Sequence, residues 1–271
     1  MTPVDYRSQT TLITGASAGL GAEFARRLAG RGSGLVLVAR RRERLEALAA
    51  ELTTRYGVPA TVIAMDLSAP RAGQRLAAEV DRLGVRVTSL VNNAGFGAYG
   101  PFHEADLDLL SEQIQVNVAN LVDITGAFLP GLRAAGDGVL VNVASVAAYQ
   151  PIPGMAVYAA TKAFVLSFTE ALWQEHTGTG LRILCLSPGT TRTEFFDVLG
   201  TEDAAGSGPM QTPAQVITTA LDALDRSTPP PSVVSGGRNK VLTKVNRFTS
   251  RRLVLRVGAT MTRPRGTAAA H

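Results

Sequence analysis

The sequence predicts an α/β fold, a doubly wound parallel sheet built as a three-layer sandwich, and three observations carry that prediction. Seven short apolar runs, each bounded by Gly, Asn or Pro, alternate with longer segments whose apolar residues recur at i, i+3 and i+4. The runs are nearly continuous and do not alternate apolar with polar, so both faces of the sheet are expected to be covered. No internal repeat, linker or shift of composition interrupts the chain before residue 226. A single domain over residues 1–271 is therefore expected, with a basic amphipathic extension from about 226.

In order along the chain, Thr10 to Gly15 (TTLITG) is the first strand and Gly21 to Arg31 the first helix. Gly34 to Arg40 (GLVLVAR) and Arg42 to Tyr56 form the second pair, and Ala60 to Asp66 (ATVIAMD) and Ala72 to Leu83 the third. Val87 to Asn93 (VTSLVNN) precedes one long helical pattern, Leu107 to Ala135. Gly138 to Ser145 (GVLVNVAS) precedes the helix Val157 to Glu175, and Leu181 to Gly189 (LRILCLSPG) precedes Pro213 to Asp225. Pro231 to Gly236 (PSVVSG) completes the sheet.

Composition narrows the function classes. The formal net charge is +5, yet from Arg226 onward there are ten Lys/Arg and no Asp/Glu, which leaves a mildly acidic body. The basic tail brings neither a recognition motif nor an aromatic series for stacking on bases, so no nucleic-acid partner is expected. No run approaches the roughly 20 apolar residues that cross a bilayer, and Met1 to Arg7 has no leader character; the expectation is a soluble, cytoplasmic protein. Cys185, the one cysteine, lies in an apolar strand and reads as a buried, inert thiol. His103, His176 and His271 show no ligand spacing, and no metal site is expected.

Directly after the first strand comes TGASAGLG, Thr14 to Gly21, leading into a helix. Glycines at 15, 19 and 21 permit a tight turn, let backbone N–H groups approach a pyrophosphate and let the helix pack close to the sheet. Strand, turn and helix in that order point to a dinucleotide. Where the second strand ends, an acid commonly holds the adenosine ribose of NAD; here Ala39 is followed by Arg40, Arg41 and Arg42. A guanidinium grips a 2′-phosphate that a carboxylate would repel, so the expected cofactor is NADP(H) in preference to NAD(H), with Arg40 as the contact. A solvated basic helix start would read the same way. Asp66 can accept from the adenine amino group or cap the following turn.

Further polar residues fall at strand ends or on helices. NNAG (Asn92 to Gly95) ends the fourth strand, Asn117 lies in the helical QIQVNVAN, and Ser145 ends the fifth strand. Tyr158 stands one helical turn before Lys162, so the two share a helix face at roughly 5 to 6 Å between Cβ atoms. Ligands of an open parallel sheet bind beyond the carboxyl ends of the strands, which puts Ser145 and the glycine turn on one edge. Structural roles stay open for each: Asn92 and Asn93 as turn formers, Asn117 as a buried polar tie, Ser145 as a cap, and Tyr158 with Lys162 as part of an amphipathic helix.

Taken together, TGxxxGxG, NNAG, the helix asparagine, the serine and YxxxK resemble the short-chain dehydrogenase/reductase family of single-domain, Rossmann-like enzymes, over roughly Thr10 to Leu224. The resemblance implies Ser145, Tyr158, Lys162 and Asn117 as the catalytic set, with Tyr158 as acid in reduction and base in oxidation. A phenol's reference pKa of about 10 makes it a poor acid/base near neutrality, and Lys162 is expected to supply a charge that favours the phenolate. The resemblance also implies that Ser145 bonds the substrate oxygen, Lys162 holds the nicotinamide ribose, and Asn117 holds a water passing protons toward Lys162. Cofactor contacts are implied for Gly15, Ser17, Gly19, Leu20, Gly21, Arg40, Asp66, Leu67, Asn93, Ala94, Gly95, Tyr158, Lys162, Pro188, Gly189, Thr191 and Thr193. Ala18 stands where NADP(H)-preferring members often carry a basic residue, so the preference rests on the arginines after the second strand.

The loops expected to shape the substrate side offer Phe96, Tyr99, Phe102, Tyr149, Met155, Phe195, Phe196 and Met210 and few fixed charges. An apolar carbonyl compound is thus favoured over a sugar or a charged metabolite. Gly200 to Gly208 reads as a mobile lid. In the tail, Lys240, Lys244, Arg247 and Arg251 make one basic helical stripe beside Val241, Val245 and Phe248, suited to peripheral contact with an anionic membrane or to a solvated face against the body. The expected function is NADPH-dependent reduction of a ketone or aldehyde to an alcohol. The alternatives are a β-keto acyl lipid reductase at a membrane face, similar to mycolate-precursor reductases, and a non-catalytic NADP(H)-sensing or interaction protein on the same fold. The resemblance implies a homodimer or homotetramer through the helices Leu107 to Ala135 and Val157 to Glu175.

Overall fold

The computed structural model describes residues 4–199 and 209–261. Its strands are β1 (Thr10–Thr14), β2 (Gly34–Ala39), β3 (Ala60–Ala64), β4 (Ser89–Asn92), β5 (Val139–Val143), β6 (Arg182–Ser187) and β7 (Ser232–Val234). All pair in parallel, in the order β3-β2-β1-β4-β5-β6-β7. The helices are α1 (Gly19–Ala29), α2 (Arg42–Tyr56), α3 (Ala72–Arg82), α4 (Leu107–Ile114), α5 (Asn120–Ala135), α6 (Ala156–Glu175), α7 (Phe195–Leu199), α8 (Pro213–Leu224), α9 (Gly237–Phe248) and α10 (Arg251–Met261). No helix among the described residues is long and apolar enough to cross a membrane.

Unbroken apolar strands are what this sandwich needs, because successive side chains enter different cores. Ile13, Leu35, Leu37, Val141 and Leu184 pack with α1, α2 and α8, while Leu12, Val36, Val38, Leu140 and Ile183 pack with α3, α5 and α6. A buried polar chain ties the second layer to the sheet. Asn92 Nδ2 donates to Asn142 Oδ1 at 3.0 Å and to Thr125 Oγ1 at 2.9 Å, and Asn142 Nδ2 donates to Thr169 Oγ1 at 3.0 Å. Thr125 belongs to α5 and Thr169 to α6, so β4 and β5 fix both helices.

Two expectations from the sequence change here, and a third is left untested. The single helix read from Leu107 to Ala135 is divided by a π turn, Gln115–Ala119, which adds a residue to the coil without disturbing the apolar spacing. The basic stripe is broken, because Thr249 is extended (φ −93°, ψ 143°) and Arg251 starts a separate helix. Lys240 and Lys244 remain on α9, whereas the side chains of Arg247 and Phe248 lie outside those described. The lid expected at Gly200 to Gly208 also lies outside the described residues.

Close approach of α3 to α5 depends on Gly73, where a Cβ would run into the Asp123 carbonyl and lie 2.6 Å from Ile124 N. Gly73→Ala is expected to destabilise by about 1–3 kcal/mol, the usual cost of overpacking. Gly126→Ala, on an exposed part of α5 with nothing within 4 Å, should stabilise by roughly 0.5–1 kcal/mol. Urea unfolding of the two variants checks the opposite signs.

Candidate active site

Strand order reverses between β1 and β4, and the chain leaving their carboxyl ends opens a cleft there. Gly15 (φ 67°) and Gly19 (φ 54°) hold the β1–α1 turn in the left-handed region that glycine favours. Gly21 lies beneath the turn: its Cβ would strike the Gly15 carbonyl oxygen and sit 2.7 Å from Asn93 Nδ2. Ala18 has no side-chain oxygen to cap α1, so the first amides of that helix stay available to an anion. Thr14 joins the two sides, its Oγ1 accepting from the N–H of Asn93 (3.0 Å) and of Ala94 (3.1 Å).

The cleft has a volume of about 620 Å³ and crosses the carboxyl edge of the sheet. Gly15, Ser17, Gly19, Leu20, Arg40, Asp66 and Leu67 line its first part, and Asn93, Ala94, Gly95, Pro188, Gly189, Thr191 and Thr193 its middle. Ser145, Tyr158 and Lys162 line the far end. Of the catalytic and cofactor-binding residues expected from the sequence, Gly21 and Asn117 are the two that do not line it; Gly21 acts through packing. Asp66 caps the following turn, accepting from Ser68 N–H at 2.9 Å, and it also lines the cleft. That hydrogen bond holds its carboxyl below the usual carboxylate range.

Ser145 is extended and caps the short 3-10 turn Val146–Tyr149, its Oγ accepting from Ala147 N–H at 3.1 Å. Its hydroxyl is also a hydrogen-bond neighbour of the Tyr158 hydroxyl. Tyr158 lies in the first turn of α6 and is buried, and burial pushes its phenol up to about 12 against the opposing pull of Ser145. One turn on, Lys162 is buried too. Burial brings its ammonium down to about 8, and Nζ donates to the Val143 carbonyl at 2.9 Å. Nζ lies 5.8 Å from the centre of the Tyr158 ring. Burial thus raises the phenol where a lowering by Lys162 was expected, Ser145 alone opposes it, and at neutral pH Tyr158 keeps its proton.

Asn117 sits in the π turn and serves as a polar tie. Its Oδ1 accepts from Phe96 N–H at 3.1 Å, and its Nδ2 donates to Phe96 O at 2.9 Å and Thr161 Oγ1 at 3.2 Å. This fastens the loop after β4 to α6. A Cβ at Gly95 would come within 2.8 Å of Asn117 Oδ1 and 3.4 Å of Lys162 Nζ, so glycine keeps the space between them open.

On the substrate side, Phe96, Met155, Phe195 and Phe196 line the cleft, and the Phe195 ring lies 5.5 Å from that of Tyr158. Tyr99 stands behind that wall, packed against the cluster of Met155 and Tyr158. The other expectations there are corrected: the Tyr149 hydroxyl meets Ser187 Oγ at 3.5 Å, Phe102 is exposed, and Met210 lies outside the cleft. Sequence reading had missed Glu112, Val116 and Ile152 on this wall and Glu194 at the other end, and it named Arg41 only as one of three arginines after the second strand. Arg41 bonds Ser17 Oγ (3.1 Å) and Glu194 (2.7 Å), contacts between distant segments with no local signal. Cys185 is buried, and burial pushes its thiol up to about 12. Among the described residues no group of three His, Cys, Asp or Glu could hold a metal ion.

A family model described as short chain dehydrogenase matches residues 9–204. The chain is 41% identical over 220 residues to sulfoacetaldehyde reductase 2 of Chromohalobacter salexigens, an alignment covering 80% of this chain and 85% of that protein. A solved structure of a 7β-hydroxysteroid dehydrogenase superposes with a TM-score of 0.83 at 27% identity, covering 96% of this chain and 100% of that one. A short-chain dehydrogenase from Sphingobium yanoikuyae, solved in complex with NADPH, gives a TM-score of 0.76 at 32% identity over 97% and 99% of the two chains.

Removing the Asn117 side chain leaves the half-buried Phe96 amide without its partner and the Phe96 carbonyl with only Gln113 Nε2, at 3.2 Å. Asn117→Ala should cost about 1–3 kcal/mol of stability, read as a lowered urea midpoint.

Proposed function

The chain belongs to the short-chain dehydrogenase family, and from that premise we propose that it is an NADP(H)-dependent oxidoreductase reducing an uncharged, apolar ketone or aldehyde to the alcohol. The observation that supports this most is one cleft with arginines at one end and, at the other, Ser145 beside the buried Tyr158 and Lys162.

When bound, a nicotinamide dinucleotide supplies the hydride. Gly15, Gly19, Leu20 and the uncapped amides of α1 would hold its pyrophosphate, Ser17, Arg40 and Arg41 a 2′-phosphate, and Asp66 with Leu67 the adenine. Asn93, Ala94, Gly95, Pro188, Gly189, Thr191 and Thr193 would flank the nicotinamide half. Lys162 fits a ribose: an ammonium has three donors, and among the described contacts Nζ bonds only the Val143 carbonyl.

Tyr158, protonated at neutral pH, donates its proton to the carbonyl oxygen as negative charge develops there, and Ser145 donates a hydrogen bond to the same atom. The phenolate left behind faces the Lys162 charge. In alcohol oxidation Tyr158 takes the proton back. Asn117 acts by holding Phe96 and Thr161, and a water beside it would lead toward Lys162.

The substrate end supports an uncharged compound. The similar protein named for sulfoacetaldehyde acts on an anion, whereas here Glu112 stands among Phe96, Val116, Ile152 and Met155. A carboxylate in an apolar wall repels a sulfonate. A lipid substrate met at a membrane face is favoured by α9, whose Asn239 and Thr243 turn inward while Val241, Leu242 and Val245 are exposed beside Lys240 and Lys244. Exposed Leu107, Leu109, Ile114 and Phe164 on α4 and α6 suit a homo-oligomer.

With NADPH and a carbonyl panel running from small aldehydes and sulfoacetaldehyde to long-chain β-keto esters, turnover is expected for apolar ketones or aldehydes. Tyr158→Phe should lose about 10²–10⁴-fold while NADPH fluorescence still reports binding. Silence with every substrate despite tight binding would favour the sensor reading instead. In the reductive direction kcat/KM should be flat below about 8 and fall above it, because Lys162 loses its proton there while Tyr158 holds its own to about 12. A pH profile rising through 8 would contradict the assignment.

A further inference from the structure

After β6 the chain passes along the cleft wall at Thr191 and Thr193 and reaches Glu194, whose role the reaction leaves unassigned. Its carboxylate accepts from Arg41 through Oε2 at 2.7 Å and from Arg44 through Oε1, partners 153 and 150 residues away in the chain. Arg41 stands at the N-terminus of α2 and also donates to Ser17 Oγ at 3.1 Å and 3.3 Å. Side chains from three segments thus make a continuous polar bridge: the β1–α1 turn, the start of α2 and the loop after β6. The next residue is Phe195, which packs on Tyr158, so one short segment reaches from the charged end of the cleft to its catalytic end.

A carboxylate is a poor choice beside an anion-binding end if it acts alone, since it would repel a 2′-phosphate. Held between two guanidiniums it acts as a link instead, and they keep its carboxyl below the usual range. The groups are nearly half exposed, with side-chain exposures of 44% and 41% for Arg41 and Glu194. Such pairs are weak and screened by salt, each shifting an equilibrium by at most about five-fold. A bridge of that strength holds a loop in place yet opens within a catalytic cycle.

We propose that Glu194 is a positioning residue that, through Arg41 and Arg44, straps the segment after β6 across the cleft and retains a dinucleotide bound beneath it. This rests on the NADP(H) reading above. The strap delays release at the adenosine end and keeps Phe195 against Tyr158 while the cleft is filled.

Stopped-flow displacement of NADPH, and separately of NADH, tests this on wild type, Glu194→Gln, Arg44→Gln and the double variant, at low and high salt. Arg44 lies outside the cleft lining, so its loss removes no cleft contact. Each single variant should release NADPH about two- to five-fold faster, the double variant no faster than the faster single one, and high salt should narrow the gap to wild type. NADH release should quicken as well, because the strap does not depend on the 2′-phosphate. Slower NADPH release from Glu194→Gln with NADH unchanged would show simple repulsion of the phosphate and overturn the strap, as would unchanged release in both single variants. Wild type that binds neither dinucleotide would sink the cofactor reading, and the strap with it.

Discussion

Everything at the carboxyl edge depends on how β1 and β4 are held side by side. Their crossovers leave in opposite directions, so the sheet alone would leave an open gap between them. Thr14 and Asn93 set its width: Thr14 Oγ1 receives two backbone N–H groups, and Asn93 Nδ2 donates to the carbonyls of Thr14 (3.0 Å) and Gly15 (3.3 Å). The Gly15–Gly21 contact then seats the N-terminus of α1 over this lock. The turn, the loop after β4 and α1 therefore share one set of hydrogen bonds, and a change at Thr14 or Asn93 would move all three.

Placement of α6 follows the same logic one strand further on. The Asn92–Asn142–Thr169 chain fixes α6 to the sheet through its middle, and Asn117 fixes its first turns through Thr161. Tyr158 and Lys162 flank the Thr161 anchor, and both are buried. Burial disfavours the charged form of each, which raises the phenol and lowers the amine. The phenol therefore holds its proton at neutral pH, while the ammonium is closer to losing its own. The carbonyl of Val143 offsets part of the cost of keeping that ammonium in an apolar wall.

Periodicity made the layers legible because double burial writes itself as unbroken apolar runs, and Gly15, Gly19 and Ser145 were legible because strand ends and turns restrict residue type. Other features left no local trace. A π turn at Gln115–Ala119 adds one residue, which apolar spacing tolerates without a mark. The break at Thr249 and Ser250 uses residues that a helix can also contain. Spacing brought Tyr158 and Lys162 together but could not weigh their burial, so the direction of the phenol's shift was misread. Aromatic residues in the loops were correctly collected and only partly correctly aimed: composition placed Phe102 in the pocket, while the short turn Phe102–Glu104 presents it to solvent.

The two ends of the cleft use opposite electrostatics, and each requires the other. The guanidiniums of Arg40 and Arg41 are exposed, so their contacts are weakened by water and suited to capture and release. At the far end Phe96, Val116, Met155 and Phe195 make an apolar wall, which on the reading proposed above would strengthen hydrogen bonds from Ser145 and Tyr158 to a developing alkoxide. An apolar pocket of that kind has little grip on a charged cofactor, and a wet arginine cluster has little power to stabilise a transition state. Thr193, Glu194 and Phe195 join the two regimes in three consecutive residues, so closure at the wet end sets the packing at the dry one.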